Sequence, residues 1–151
     1  MRSSSSILIG FILCGGLLGG AAVRSGESAP DIQVKDAWIR WLPADVPGGG
    51  YMTVVNTGAA TRILIAASSP DYAEVSIHQS RIRNGVNEMA PVESIELRPH
   101  IPVRFAEGGY HLMLMQPKRP LKPGDRVLIT LRFAQGPPVE APFDVRAGNA
   151  S

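Results

Sequence analysis

The stretch Tyr72-Ala-Glu-Val-Ser-Ile-His78-Gln-Ser-Arg-Ile-Arg83-Asn84-Gly85-Val86-Asn-Glu-Met89-Ala-Pro-Val92 reads as two strands joined by a tight turn. Asn-Gly is the dipeptide that most favours a two-residue type I′ loop, because both loop positions need positive φ. Such a loop pairs Arg83 with Val86. Counting outward sets Ser80 opposite Met89 and His78 opposite Pro91. His78 and Met89 then share a face as diagonal cross-strand neighbours, roughly 7 to 8 Å apart. A three-residue loop would shift the register and send them to opposite faces.

The same grammar extends in both directions. Runs rich in β-branched and aromatic residues alternate with Gly, Pro, Asn and Ser, and no segment carries a sustained helical period. Strands are expected at Ile32–Trp41, Gly50–Asn56, Arg62–Ala67, Tyr72–Ile82, Val86–Val92, Ile101–Ala106, Tyr110–Gln116, Arg126–Phe133 and Val139–Val145. Turn chemistry lies between them at Pro47-Gly-Gly-Gly50, Asn56-Thr-Gly58, Gly108-Gly109 and Pro123-Gly-Asp125. Many short strands at this spacing imply one all-β domain, an antiparallel sandwich or barrel. Trp38, Tyr51 and Phe133 are expected to fill its core.

The beginning of the chain has a different character. Arg2 and four serines precede an apolar run from Ile7 to Leu18 that breaks into Gly-Gly-Ala-Ala, the pattern of a secretory signal peptide. The run is short for a transmembrane span. The expected organisation is a signal peptide at residues 1–22, a flexible lead-in at 23–31, a β-sandwich domain at 32–145 and a frayed tail at 146–151. Cleavage after Ala22 would leave no stable membrane insertion and place the mature protein in the periplasm. It would also remove Cys14, the single cysteine, and with it any disulfide or thiolate metal ligand. Lipid attachment at Cys14 is disfavoured, because Ile12 and Leu13 stand where small residues would be needed. The formal net charge of +2 is spread along the chain without a basic, aromatic-interleaved run, so nucleic acid is not an expected partner.

Chemistry concentrates in four residues, His78, Met89, His111 and Met113, spaced H-x10-M-x21-H-x-M. Thioether with imidazole is a ligand set for a soft ion, chiefly Cu(I), whereas calcium and magnesium take oxygen ligands. His111 and Met113 stand two apart in one strand, so they share a face while Leu112 and Leu114 point the other way. In an oxidising compartment thioether has the advantage over thiolate that it carries no proton and forms no disulfide. Imidazole must be neutral to bind, so affinity should fall below its pKa of about 6.5. The pattern alone leaves a duller reading open, with core methionines and ordinary surface histidines. Met52 and Met115 read as packing, and His100 as exposed in a Pro99-His-Ile-Pro102 turn. No nucleophile–base pair or paired carboxylates suggest an enzyme.

Val75-Ser-Ile-His78, Asn84-Gly-Val-Asn-Glu-Met89-Ala-Pro-Val92, Gly108-Gly-Tyr-His111-Leu-Met113-Leu-Met115 and Pro120-Leu-Lys-Pro-Gly124-Asp125 together resemble the periplasmic copper chaperones called PCu(A)C. The likeness continues through Asp36-Ala-Trp38-Ile-Arg40, Gly50-Tyr51-Met52, Asn56 and Ala67-Ser-Ser-Pro70, and covers most of residues 32–133. It implies a cupredoxin-like Greek-key β-sandwich that binds one Cu(I) ion per monomer at an exposed site, with His78, Met89, His111 and Met113 as ligands. It also implies a copper-accepting partner, cytochrome c oxidase subunit II with its Cu(A) centre or another oxidase assembly factor. A copper buffer without a dedicated acceptor and a metal-free interaction module are the competing functions. Gln79 replaces a frequent glutamate of the family, Ile82 and Asn87 stand where methionines are often found, and a His/Met-rich tail linked to Cu(II) is missing.

Overall fold

The computed structural model describes residues 31–43 and 46–148. The expected signal peptide, most of the lead-in and residues 149–151 of the expected tail lie outside the described residues. Ten strands follow in chain order: β1 (Ile32–Trp41), β2 (Gly48–Asn56), β3 (Arg62–Ser68), β4 (Tyr72–Arg83), β5 (Val86–Pro91), β6 (Ile95–Leu97), β7 (Val103–Phe105), β8 (Tyr110–Pro117), β9 (Arg126–Phe133) and β10 (Val139–Ala147). The all-β expectation holds. Differences are confined to strand ends and one short element. β6 was not expected, since three residues are too few for alternation to be recognised. Arg146 and Ala147, expected in the frayed tail, instead continue β10 and pair with Arg40 and Trp41.

All ten strands belong to one hydrogen-bonded sheet in the order β5-β4-β8-β7-β2-β1-β10-β9-β3-β6. The sheet folds over, so β3 lies against β4 and β6 against β2 without pairing to them. A single apolar core fills the space between, built on Ile39, Val54, Leu64, Leu97, Leu112, Leu114, Ile129, Leu131 and Phe143. Alternation supplies it: in β9, Val127, Ile129, Leu131 and Phe133 point inward while Arg126, Leu128 and Arg132 stay exposed. Asn56 is the buried polar residue of the core. Its amide donates to the carbonyls of Ala60 (2.8 Å) and Leu97 (2.7 Å), and its side-chain oxygen accepts from the Gly58 N–H (3.0 Å).

Two local features shape the outer face next to the candidate site. The first is a bulge in β1. Lys35 pairs with Thr53 and Trp38 with Tyr51, so Asp36 and Ala37 together oppose one residue of β2, and Asp36 takes φ 51°. The extra residue inverts the alternation. Ile32 and Val34 point inward before the bulge and Ala37, Ile39 and Trp41 after it, which turns Trp38 out of the core. Trp38 therefore does not fill the core as expected. It lies half-buried on the outer face, its ring 4.8 Å from that of Tyr51. Phe133 does pack in the core.

The second feature is the start of β2, where Gly48 and Gly49, expected in a turn, are already in the strand and pair with Leu114 and Met113 of β8. Gly50 follows opposite Leu112, and a Cβ on it would lie 3.0 Å from Leu112 Cβ. A side chain there would push the strands apart.

Candidate metal centre

β4, β5 and β8 supply the four residues. Asn84 (φ 51°) and Gly85 (φ 76°) both adopt the left-handed conformation that a type I′ loop requires. The resulting register pairs Arg83 with Val86, Ser80 with Met89 and His78 with Pro91. His78 and Met89 therefore share a face. On the other side of β4, His78 stands directly opposite His111 of β8, and Ser76 opposite Met113. Pairing with β8 reaches only to Gln79, so Ser80–Arg83 of β4 and Val86–Met89 of β5 project as an arm, and all six β5 residues are exposed.

The structure brings all four side chains to one outer face at the edge of the sheet. His111 Nε2 lies 3.1 Å from Met89 Sδ. The imidazole rings of His78 and His111 are 6.0 Å apart between centroids. Met113 joins Met89 and His111 around a shallow recess of about 170 Å³, closed on its far side by Arg40, Gly49 and Tyr51. Beneath the face, Leu112 and Ile77 are buried and hold the two strands on the core. Met89 is 53% exposed. Met115 is half-buried on the same face and pairs with Glu74. Met52 is a core residue, and His100 is exposed in its turn.

Hydrogen bonding sets the tautomer of neutral His111. Its Nδ1 lies 3.1 Å from the Gly109 carbonyl, which can only accept, so Nδ1–H donates. In the neutral ring Nε2 then carries a lone pair, and it points at the lone pairs of the Met89 thioether. Two electron-pair donors facing each other have no proton to share, and a soft cation satisfies both. His78 also has an unmatched ring nitrogen. Ser76 Oγ is 3.2 Å from its Nε2, while its Nδ1 is buried without a hydrogen-bond partner. Burial pushes the His78 imidazole below its ordinary pKa, the charge of His111 pushes the same way, and Glu74 opposes them. Both effects favour the neutral, metal-competent ring. Among the described residues no three His, Cys, Asp or Glu side chains gather into a metal-holding group. Any metal held by this face therefore depends on the methionines.

Arg40, Gly49 and Ser76 carry no sequence signal as site residues, and Tyr51, expected in the core, is buried at 8% exposure while also bordering the recess. Their roles depend on which strand lies beside β8, and no local motif announces that.

Residues 32–145 match the LpqE-like family model. The chain belongs to the LpqE-like family. A candidate lipoprotein of Leifsonia xyli subsp. xyli is 31% identical over 133 residues, covering 87% of this chain and 80% of that protein. Among solved structures, the copper-bound PCuAC domain from PmoF2 is 26% identical with a TM-score of 0.64, and the match covers 78% of this chain and 93% of that one. The Cu(I) form of DR1885 from Deinococcus radiodurans is 25% identical with a TM-score of 0.58, covering 85% of this chain and 87% of that one. This LpqE-like chain thus shares the fold of the PCuAC domains, as its sequence motifs imply.

Proposed function

We propose that this LpqE-like protein is an exported Cu(I) carrier, not an enzyme, that holds one ion with His78, Met89, His111 and Met113 and passes it to an acceptor protein. The observation that carries the reading is the His111 Nε2–Met89 Sδ approach of 3.1 Å with Nδ1 committed to the Gly109 carbonyl. Copper in the solved PmoF2 domain and Cu(I) in the DR1885 structure support it. The placement of Met89 suits delivery. It sits half-exposed on an edge strand, so an incoming ligand reaches it first, while His111 and Met113 keep hold from the better anchored β8. The proposed acceptor is cytochrome c oxidase subunit II or another oxidase assembly factor.

Anaerobic titration with Cu(I) against a chromophoric chelator tests the site. The wild type should take up one equivalent and a His111→Ala/Met113→Ala variant should compete poorly. Equal weak uptake by both would remove the proposal. Transfer to the copper-free soluble domain of oxidase subunit II tests delivery: a carrier loads it, a buffer does not. The lipoprotein names of the family and of the Leifsonia relative support a place outside the cytoplasm. They also make lipid attachment at Cys14 an alternative to cleavage after Ala22, and the mass of the mature protein distinguishes the two.

A further inference from the structure

The face that carries the candidate metal centre does not end at Met113. Residues paired directly across neighbouring strands point to the same side of a sheet. Ser76 pairs with Met113, Met113 with Gly49, Gly49 with Arg40, and Arg40 with Arg146. One cross-strand row therefore runs from the metal centre over β8, β2 and β1 to β10. With strands about 4.8 Å apart, Arg40 lies about 10 Å and Arg146 about 14 Å from Met113, backbone to backbone. A parallel row sets Arg104, Thr53 and Lys35 side by side.

Between the rows lie Trp38, turned outward by the β1 bulge, and its cross-strand partner Tyr51, which is on the same face but 8% exposed. Both rings carry guanidinium groups, Arg146 at 5.5 Å from the Trp38 centroid and Arg40 at 5.6 Å from that of Tyr51. Together with Arg104, Asp36 and Glu107 these residues border an open recess of about 740 Å³. Arg40 and Tyr51 line both this recess and the one at the metal centre.

The charges on this face do not cancel. Arg40 is paired with Glu107, and Arg126 with Asp144. Lys35, Arg104 and Arg146 have no carboxylate within salt-bridge reach among the described residues, and the face sets two unpaired acids, Asp36 and Glu140, against these three cations. Arg40 Nε is buried and lacks an acceptor. Guanidinium groups stacked on aromatic planes keep their N–H edges free for carboxylates.

We propose that the outer face of β7, β2, β1 and β10, formed by Lys35, Trp38, Tyr51, Arg104 and Arg146, docks an acidic segment of the protein that exchanges copper with this one. The inference rests on the carrier reading, since direct ligand exchange at Met89 and His111 requires contact. An interface of ordinary size covers about 800 Å² on each partner, enough to extend from Met113 across both rows. Steering by opposite charge would raise the rate of encounter more than the strength of binding.

The test uses the full chain in its copper-free form, labelled with nitrogen-15, and three probes: hexaglutamate, hexalysine and phosphatidylglycerol vesicles. Hexaglutamate should shift the Trp38 indole N–H and the amides of β1 and β2. Hexalysine should not, and 0.5 M salt or the Arg104→Glu/Arg146→Glu double variant should abolish the effect. Response to the vesicles but not to hexaglutamate would overturn the proposal in favour of a membrane surface. Shifts that map elsewhere, or survive the double variant, would overturn it outright. In transfer to the subunit II domain at low salt, the double variant should slow delivery about tenfold with Cu(I) affinity unchanged. Loss of Cu(I) uptake by the wild type would instead strike the carrier reading, so the two failures are distinct.

Discussion

Replacing Gly85 by valine should weaken Cu(I) binding without unfolding the domain. Gly85 sits at φ 76°, where an L side chain costs roughly 1 to 2 kcal/mol. No atom lies within 4 Å of the position its Cβ would take, so backbone strain is the whole perturbation. Where that strain acts follows from the structure. All six residues of β5 are exposed, and the arm contributes nothing to the core. An isolated two-stranded hairpin is marginally stable in water, so the strain shifts local opening of the arm, while the melting of the domain is little changed. Opening carries Met89 away from His111, and apparent affinity falls in proportion to the closed fraction. A strain of 1 to 2 kcal/mol corresponds to a loss of up to about 5- to 30-fold. Gly85→Asn, which tolerates the left-handed region, should lose much less. The assay is anaerobic competition with a Cu(I) chelator, beside thermal melts of the same copper-free samples. Wild-type affinity in Gly85→Val would refute the dependence on the arm. A loss accompanied by an equal fall in global stability would refute its local origin.

Three further outcomes follow from particular contacts. Leu112→Ala, at a fully buried position between His111 and Met113, should destabilise the domain by about 2 to 5 kcal/mol through the cavity it leaves, measured by denaturant melts. Asn56→Ala should cost about 1 to 3 kcal/mol, since the buried Leu97 carbonyl and the part-buried Ala60 carbonyl lose their donor and the Gly58 N–H loses its acceptor; the same melts apply. The depressed pKa of His78 means that the unfolded chain binds more protons than the folded one between the folded pKa and about 6.5. This contribution to copper-free stability is therefore present above pH 6.5, is lost as pH falls through that window, and changes no further below it. His78→Gln should flatten that part of the stability–pH curve, and an unchanged slope would show that another group titrates there.

The strands were legible because alternation is local, and a missed element such as β6 was simply too short to show it. The register of β4 and β5 was equally legible, since a two-residue Asn-Gly loop leaves one pairing that suits its backbone. Trp38 departs from its expected core position for a physical reason. Its side depends on the bulge at Asp36, and a single extra residue exchanges inside for outside along the rest of β1. The glycines before Tyr51 read as a turn because glycine commonly marks one. In the fold they are strand residues that let β2 approach β8.

By itself the sequence determined an all-β chain, a hairpin that aligns His78 with Met89, and a strand that aligns His111 with Met113. Each follows from interactions among residues close along the chain. Only the tertiary structure decided that β8 lies against β4 with His111 opposite His78. It also set Tyr51 and Arg40 beside the same recess and left Met89 open to solvent. Pairing between strands far apart in the chain is chosen by the burial of Leu112, Leu114 and Ile77 in a common core, and no local pattern encodes which partner that burial selects.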